Sequence, residues 1–250
     1  VNRDENFRSN KIVHHFSGGP GTFIDKISKM TTFLNKLKDF TILSNITKTK
    51  NYIEKHLIPI IEDSNELLEG NIFTLHNTTK YTNKFSNKTK NISNLVLNKN
   101  IKNVLEIGFN SGFSTLLILM SNPNLTIDCY DIGEHKYTMS CYNKLKETFK
   151  ERINIVIGDS TKTMPLIDSN KKYDLIHIDG GHSNEVATSD IENSYRLCKH
   201  GTIVIMDDYD FPNLHKLWDE YIRKYNLFDV DIYTYPSPHH SIKYAYKLED

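Results

Sequence analysis

The sequence has no long apolar run. No segment approaches the roughly 18 consecutive apolar residues that a membrane-spanning helix needs, and the first thirty residues lack the apolar core of a signal peptide. The given residues therefore predict neither a membrane-spanning helix nor a signal peptide.

An excess of charge and a framework of cysteines are also missing. Lysine and arginine number 31, and so do aspartate and glutamate. Without a net charge, no long-range field attracts nucleic acid or an anionic membrane surface. Cys129, Cys141 and Cys198 are far apart and form no C-x-x-C pair. This pattern is typical of reduced, buried thiols and indicates a cytoplasmic location.

The chain changes character near residue 95. Residues 1–22 are polar and then rich in glycine and proline, which predicts a mobile arm. Residues 23–95 are predicted to form a helical extension, with a second helix at about 51–62 and a short helix before the first strand. The first helix is indicated by apolar residues at three- and four-residue spacing. These are Phe23, Ile27, Met30, Leu34 and Leu37.

Residues 96–250 alternate short apolar runs with helical segments. The runs are IKNVLEIG, LTIDCYDI, INIVIGD, YDLIHID and GTIVIMDD. Strands that are buried on both faces of a parallel sheet have this composition. Repeated strand and helix units predict right-handed crossovers and a doubly wound α/β sheet. The consecutive segments FDVDIYTY and SIKYAYKL predict an antiparallel hairpin, which would bring a mostly parallel sheet to seven strands.

The first strand-to-helix turn, in NVLEIGFNSGFSTLLIL, contains a carboxylate and two glycines. In doubly wound sheets, ligands bind beyond the carboxyl ends of the strands, and glycines in the first turn let the backbone approach the ligand. Gly108 would permit this approach, and Gly112 would let the next helix pack closely. The carboxylate of Glu106 favours a cationic sulfonium or ammonium group over a dinucleotide.

The segment VLEIGFNSGFSTL resembles motif I of the class I S-adenosylmethionine (SAM) methyltransferases. The usual motif is an acidic residue followed by G-x-G-x-G, and Asn110 stands where the family has its middle glycine. Asparagine tolerates left-handed backbone angles better than most residues. Four further matches follow in order over about residues 95–250. The resemblance implies a Rossmann-like methyltransferase fold with SAM as the cofactor, bound in part by Glu106, Gly108, Asn110 and Gly112.

The ends of the next strands supply further candidate cofactor residues. Asp131 follows Glu106 by twenty-five residues, close to the spacing at which an acid holds ribose hydroxyls in nucleotide-binding sheets. The resemblance assigns the SAM ribose to Asp131, the adenine to Asp159 and Ser160, and the surroundings of the methyl donor to Asp179. Any one of these aspartates could instead cap the following helix.

The motifs DGGH and MDDY resemble the metal-dependent O-methyltransferases of the macrocin O-methyltransferase type. Strands four and five should lie about 4.8 Å apart, so that Asp179, Asp207 and Asp208 can converge as oxygen ligands for Mg²⁺ or a similar cation. That cation would lower the pKa of an acceptor hydroxyl. Asp179 and His182 are the candidate catalytic residues, with His182 as a general base, a supporting group or a ligand. Alternatively, two of these carboxylates cap a helix or bind the SAM amino group.

The resemblance implies metal-assisted O-methylation of a hydroxyl on a sugar, glycan or other small molecule. That acceptor is the expected partner, nucleic acid is not expected, and a homo-oligomer is possible. Tyr209 and Phe211 are candidates to line the acceptor pocket, whereas Trp218 is expected in the core. One alternative is an NAD-dependent oxidoreductase, but the loop lacks the third glycine of G-x-G-x-x-G. Another is a catalytically silent binding module, which has no need of clustered carboxylates.

Overall fold

The computed structural model describes residues 23–228 and 235–245, so the predicted arm at residues 1–22 lies outside the described residues. The chain divides into two compact units between Thr41 and Ile42. Among the described residues, no helix is both long enough and apolar enough to cross a membrane.

The N-terminal part is helical. Helix α1 (Phe23–Tyr52) runs into a π-helical turn (Ile53–Leu57) and then into α2 (Ile58–Asp63). Pro59 lacks an N–H group and its ring would clash with the carbonyl four residues earlier, which disfavours a regular α-helix here. The backbone N–H of Ile58 bonds instead to the carbonyl of Ile53, five residues back. The helix predicted at about 51–62 is therefore the continuation of the first helix rather than a separate element.

The second unit is built on one sheet. Its strands are β1 (Asn103–Ile107), β2 (Thr126–Asp131), β3 (Ile153–Ile157), β4 (Tyr173–Ile178), β5 (Cys198–Asp207) and β6 (His240–Ala245). The strand order is β3-β2-β1-β4-β5-β6; the first five strands are parallel, and β6 pairs antiparallel with β5. The mostly parallel, doubly wound sheet is confirmed. The strand order reverses between β1 and β4, which is where ligands bind in such folds.

Helices cover both faces of the sheet. They are α3 (Ser86–Val96), α4 (Phe113–Ser121), α5 (Thr138–Phe149), the single turn α6 (Ser160–Thr163), α7 (Asn184–Arg196) and α8 (Pro212–Lys224). One buried cluster packs the π-helical turn and helices α2, α3, α4 and α5 against one face of the sheet. Its members include Leu57, Leu116 and Leu145. The other joins α7 and α8 with the opposite face, and includes Ile191 and Trp218.

The described residues contain six strands rather than seven. Most of the segment predicted as the other hairpin strand, residues 229–234, lies outside the described residues. Its first residue, Phe228, forms an antiparallel bridge with Tyr244, and each backbone N–H donates to the other residue's carbonyl at 3.0 Å.

The predicted domain boundary at residues 95 and 96 does not coincide with a division in the structure, because residues 42–95 belong to the same compact unit as the sheet. Ile92 and Val96 of α3 lie in the core beside the sheet. The α3 side chain of Asn91 also bonds to the backbone of Tyr235, accepting from its N–H at 3.1 Å and donating to its carbonyl at 2.6 Å. Helix α3 is thus an integral layer of the sheet unit.

Candidate active site

Two glycines shape the turn after β1. Gly108 has φ 92°, and a Cβ atom there would lie 1.8 Å from the carbonyl oxygen of Asp179. Gly112 has φ 76°, and a Cβ atom there would lie 2.5 Å from the ring of Phe109. Packing inside the protein already requires both glycines, because the backbone after β4 lies against Gly108 and the ring of Phe109 lies against Gly112. Their contact with a cofactor stays a prediction.

Asp131, at the end of β2, holds this loop in place. One carboxylate oxygen accepts the backbone N–H groups of Phe109 at 2.8 Å and Asn110 at 2.7 Å. The other oxygen accepts the N–H of Gly133 at 2.7 Å. The side chain is half-buried. Asp131 therefore organises the loop directly, and its predicted bond to the SAM ribose stays a prediction.

Asn110, which replaces the family's middle glycine, links the loop to the N-terminal part of this unit. Its φ of 52° lies in the left-handed region that asparagine tolerates. Its amide nitrogen donates to the carboxylate of Glu69, and its amide oxygen accepts the hydroxyl of Tyr137 at 3.2 Å. Compared with the glycine of the motif, Asn110 thus has less backbone freedom but forms two tertiary hydrogen bonds.

The partner of Asn110 belongs to a charged group that sequence reasoning did not identify. His135 lies between Glu66, 2.7 Å from its Nδ1, and Glu69, 3.1 Å from its Nε2. Burial would lower the pKa of His135, but its hydrogen bonds to the two glutamates outweigh burial and raise it. No local pattern marks these residues, since they are separated by more than sixty positions.

Glu106 is fully buried, and its contact with a cofactor stays a prediction. One oxygen accepts the hydroxyl of Thr115 in α4, and the other lies 3.0 Å from Nδ1 of His177. A side chain in a strand covered on both faces points into a helix layer, which explains why Glu106 is enclosed beneath the loop.

His177, in β4, connects Glu106 to the end of β5. Its Nε2 lies 3.0 Å from Oδ2 of Asp207, and the imidazole is fully buried. Burial opposes the charge on His177, but the hydrogen bonds to Asp207 and Glu106 outweigh it and raise the pKa to about 10. The imidazolium can therefore donate to both carboxylates at neutral pH.

Lys88, from α3, completes this buried group. Its Nζ lies 2.5 Å from Oδ1 of Asp207, and the lysine and aspartate side chains are 6% and 0% exposed. Burial alone would lower the pKa of Lys88, but the charges of Asp207, Asp179 and Asp208 raise it. Burial would raise the pKa of Asp207, yet Lys88 and His177 hold it far below its usual range.

Lys88 lies in the predicted helical extension, where no functional residue was expected. The available signal was helical phase, because Lys88 lies three residues after Phe85 and four before Ile92, on the apolar face of α3. A buried lysine requires a carboxylate partner, and Asp207 is 119 residues away in the sequence.

Carboxylates from β4 and β5 meet as predicted from their adjacent positions. Asp179, Asp207, Asp208 and His182 line one small cleft, together with Asp190. Nε2 of His182 lies 2.9 Å from Oδ2 of Asp208; these side chains are 44% and 31% exposed. The hydrogen bond that His182 donates to Asp208 raises the pKa of His182. For Asp179, burial and then the charge of Asp207 raise the pKa.

The predicted metal site does not fit this arrangement. His177, Asp179 and Asp207 each place one ligand atom within 4.8 Å of the others. However, the nitrogens of His177 are bonded to Glu106 and Asp207. Asp207 contacts His177 through Oδ2, and contacts Lys88 and the N–H of Asp208, at 2.8 Å, through Oδ1. A cation coordinated by Asp207 would lie beside the positive charges of Lys88 and His177 in the protein interior, and their repulsion disfavours its binding.

Asp159 and Ser160 follow β3. Asp159 caps α6 by accepting the backbone N–H of Thr161 at 3.0 Å, which is the capping alternative, and it pairs with Lys162 at 2.9 Å. These contacts, led by the hydroxyl of Thr161, lower its pKa to about 2. Ser160 begins α6. Contact of either residue with adenine stays a prediction.

Asp190, in α7, is a buried carboxylate that sequence reasoning missed. Neither of its oxygens makes a well-formed hydrogen bond among the described residues. Burial raises its pKa to about 6, and Ser160 partly opposes this shift. A Cβ atom at Gly180 would lie 2.6 Å from Oδ2 of Asp190, which explains the glycine after Asp179.

The aromatic residues after β5 divide between core and surface. Trp218 is fully buried, which confirms its assignment to the core. Phe211 is 44% exposed, and its ring centre lies 4.8 Å from that of His182. The hydroxyl of Tyr209 donates to Asp219 at 3.0 Å. Phe211 therefore lies beside the cleft residue His182, and an acceptor pocket there stays a prediction.

A family model described as a methyltransferase domain matches residues 105–209, which run from β1 through the end of β5. Among curated proteins, none matches the chain significantly.

Several solved structures share the fold. A candidate caffeoyl-CoA O-methyltransferase from Staphylococcus aureus is 15% identical, with 81% of this chain and 99% of that chain covered and a TM-score of 0.54. The O-methyltransferase TomG from Streptomyces achromogenes, solved with SAM, is 14% identical over 62% of this chain and 78% of its own, with a TM-score of 0.52. The TDP-rhamnose 3'-O-methyltransferase CalS11 is 16% identical, with 62% of this chain and 78% of that chain covered and a TM-score of 0.50.

Proposed function

We propose that this chain transfers the methyl group of SAM to a hydroxyl oxygen of a sugar or other small molecule, since residues 105–209 match a family model described as a methyltransferase domain. The observation that carries this proposal is the partly exposed pair of His182 and Asp208, which lies beside Asp179 at the carboxyl edge of the sheet.

The cofactor would bind over the turn from Gly108 to Gly112. Ligands of doubly wound sheets bind at this position, where the strand order reverses. A carboxylate can accept about four hydrogen bonds, and Asp131 accepts three from the backbone, so one lone pair is left for a ribose hydroxyl. Asp179, which lines the same cleft, would face the positive end of the cofactor.

The proposed chemistry needs a base. The hydroxyl oxygen attacks the methyl carbon, the bond from carbon to sulfur breaks, and the sulfonium becomes the neutral thioether of S-adenosylhomocysteine. With Nε2–H donating to Asp208, Nδ1 of neutral His182 accepts the hydroxyl proton. Asp208 raises the pKa of His182, so activity should increase with pH until the imidazole is deprotonated. Positioning the oxygen about 3 Å from the methyl carbon supplies much of the remaining acceleration.

A metal is not part of this proposal. The sequence predicted Mg²⁺ at Asp179, Asp207 and Asp208, but both oxygens of Asp207 are bonded to buried groups of the protein. A sugar acceptor rests on the resemblance to the macrocin type and on the fold shared with CalS11. The exposed ring of Phe211 beside His182 offers an apolar surface for one face of such an acceptor. The cytoplasmic location and the homo-oligomer stay predictions.

The first test is calorimetry with SAM, S-adenosylhomocysteine and NADH. Micromolar binding of the first two and none of NADH is expected, whereas preferential binding of NADH would favour the oxidoreductase.

The second test follows transfer of a radiolabelled methyl group to a panel of nucleotide sugars and small phenols. The variant His182→Ala should lose about 100-fold or more in kcat, the usual contribution of a general base. His200→Ala, an exposed histidine near the opposite end of β5, is the matched control. Equal loss in both variants, or none, would contradict the role of His182.

A further inference from the structure

The ammonium group of Lys88 lies where a cation would neutralise the carboxylates of the cleft. We infer that Lys88 takes the place of a divalent cation in the cluster of Asp179, Asp207 and Asp208, so that this chain binds no metal there and needs none. The statement about metal binding stands on the structure alone, whereas its consequence for methyl transfer rests on the proposed function.

The contacts of Asp207 carry the inference. This residue is the centre of the predicted metal site, and its side chain is fully buried. Lys88 contacts Oδ1 at 2.5 Å, and His177 contacts Oδ2 at 3.0 Å. The backbone N–H of Asp208 also donates to Oδ1 at 2.8 Å. Each oxygen therefore already has a donor, and two of the three donors carry positive charge.

Lys88 is held too firmly to move aside for an ion. Its side chain is only 6% exposed, and Nζ lies 5.5 Å from the ring centre of Phe85. Helix α3 is tied to the segment before β6 by Asn91, which bonds to the backbone of Tyr235, and by Asn87, which donates to the carbonyl of Pro236 at 2.7 Å. Withdrawal of Lys88 would leave an unpaired charge in the interior.

A magnesium ion would also find poor ligands. Mg²⁺ requires nearly octahedral oxygen coordination at about 2.0–2.1 Å. An ion bound to Asp207 at that distance would lie close to the ammonium of Lys88, and the two cations would repel each other in a buried setting. Asp179 and Asp208 alone offer two carboxylates, and Asp208 is already paired with His182.

The charge balance assigns Lys88 a positioning role. Lys88 and His177 together neutralise the buried carboxylates of Asp207 and Glu106. Asp179 and the pair of His182 and Asp208 then remain to face the cleft. Lys88 therefore acts through Asp207, which fixes the start of the turn that carries Asp208.

Mn²⁺, which is visible by electron paramagnetic resonance, serves as the probe. Titration of the wild-type protein should show no saturable Mn²⁺ binding below the millimolar range. The variant Lys88→Met keeps the length of the stem but removes the charge, and it should bind one Mn²⁺ at least roughly tenfold more tightly, in competition with Mg²⁺. Lys84→Met, an exposed lysine four residues earlier, is the matched control and should behave like the wild type.

Two results would overturn the inference. One is saturable binding of Mn²⁺ by the wild type that Mg²⁺ displaces and Asp208→Asn abolishes. The other is a folded Lys88→Met variant that still binds no Mn²⁺, since Lys88 would then not be the excluding group. If that variant does not fold, as judged by circular dichroism, the wild-type titration decides. Failure of the proposed function would appear separately, as absence of SAM binding in calorimetry.

Discussion

Between β1 and β2 the carboxyl edge of the sheet is held by backbone hydrogen bonds, whereas between β4 and β5 it is held by buried charges. On the first side, Asp131 accepts N–H groups of the adjoining turns. On the second, Lys88, His177 and Asp207 form a chain of ion pairs inside the protein. A carboxylate that is bonded to loop N–H groups can still face a ligand, whereas a carboxylate that is enclosed by buried cations contacts only the protein. The same residue type thus has two roles at one sheet edge.

The largest effect is expected where the two sides touch. Gly108→Val would place a side chain within the backbone of Asp179 at a φ of 92° that β-branched residues avoid. We expect a loss of more than about 4 kcal/mol in the free energy of unfolding, or no folded protein, measured by urea denaturation. Gly201→Val is the control, since Gly201 has φ 80° but no atom within 4 Å of an added Cβ. Equal losses in both variants would mean that φ alone, and not the contact with β4, requires glycine.

A smaller effect tests the buried charges beside β4. Burial raises the pKa of Asp190 to about 6, so ionisation of this group costs stability as pH rises through 6, while below its unfolded pKa there is no such cost. Asp190→Asn should therefore increase the free energy of unfolding by up to about 3 kcal/mol at pH 8, and by much less at pH 4.

Asp174→Asn serves as the opposite case for that experiment. Asp174 accepts the N–H groups of Lys102 and Asn103, each at 2.9 Å, and these bonds and Lys199 lower its pKa despite partial burial. Its contribution to stability is present above its unfolded pKa and lost as pH falls, so the variant should be less stable than the wild type at pH 8. Thermal unfolding at both pH values measures the contrast. A destabilised Asp190→Asn variant at pH 8 would show that its carboxylate is paired.

The side built from backbone bonds is tested by Asp131→Ala. Three N–H groups of the turns would lose their acceptor, and the proposed ribose contact would disappear. We expect SAM binding to weaken by about 1.5–3 kcal/mol, roughly 10- to 150-fold in Kd, as measured by calorimetry. Asp131→Asn retains one acceptor oxygen and should lose less. Unchanged affinity in a folded alanine variant would remove Asp131 from the cofactor site.

The smallest effect concerns the link from Asn110 to Glu69. Asn110→Gly keeps the left-handed backbone and restores the usual motif, but removes the bonds to Glu69 and Tyr137. We expect the free energy of unfolding to fall by about 1 kcal/mol. Amide hydrogen exchange at residues 64–70, measured by mass spectrometry, should become faster. Asn226→Gly is a control with a similar φ of 49°. Exchange at residues 64–70 that is equally fast in both variants would contradict the tether.

Much of the sheet was predictable from local patterns. Apolar runs separated by helical segments identified all five parallel strands, because strands covered on both faces must be apolar along their length. The turn after β1 was predictable for a similar reason, since its glycines and Asn110 carry backbone angles that few residues tolerate. The π-helical turn at residues 53–57 was not predicted, although Pro59 directly after it disfavours a regular α-helix. The contacts of Glu106 were not predictable, because no local feature distinguishes a strand-end carboxylate that faces a ligand from one that faces a helix.

The sequence by itself determined the order of strands and helices and the doubly wound sheet, since these follow from periodicity and from turn chemistry that act over a few residues. Only the tertiary structure decided what the carboxylates do. Glu106 and His177 are 71 positions apart in the sequence, and the partner of Asp207 comes from a lysine-rich segment before the sheet. Whether an aspartate at a strand end holds a loop, caps a helix, neutralises a buried lysine or faces a cleft depends on which distant side chain packs against it, and burial makes that pairing obligatory.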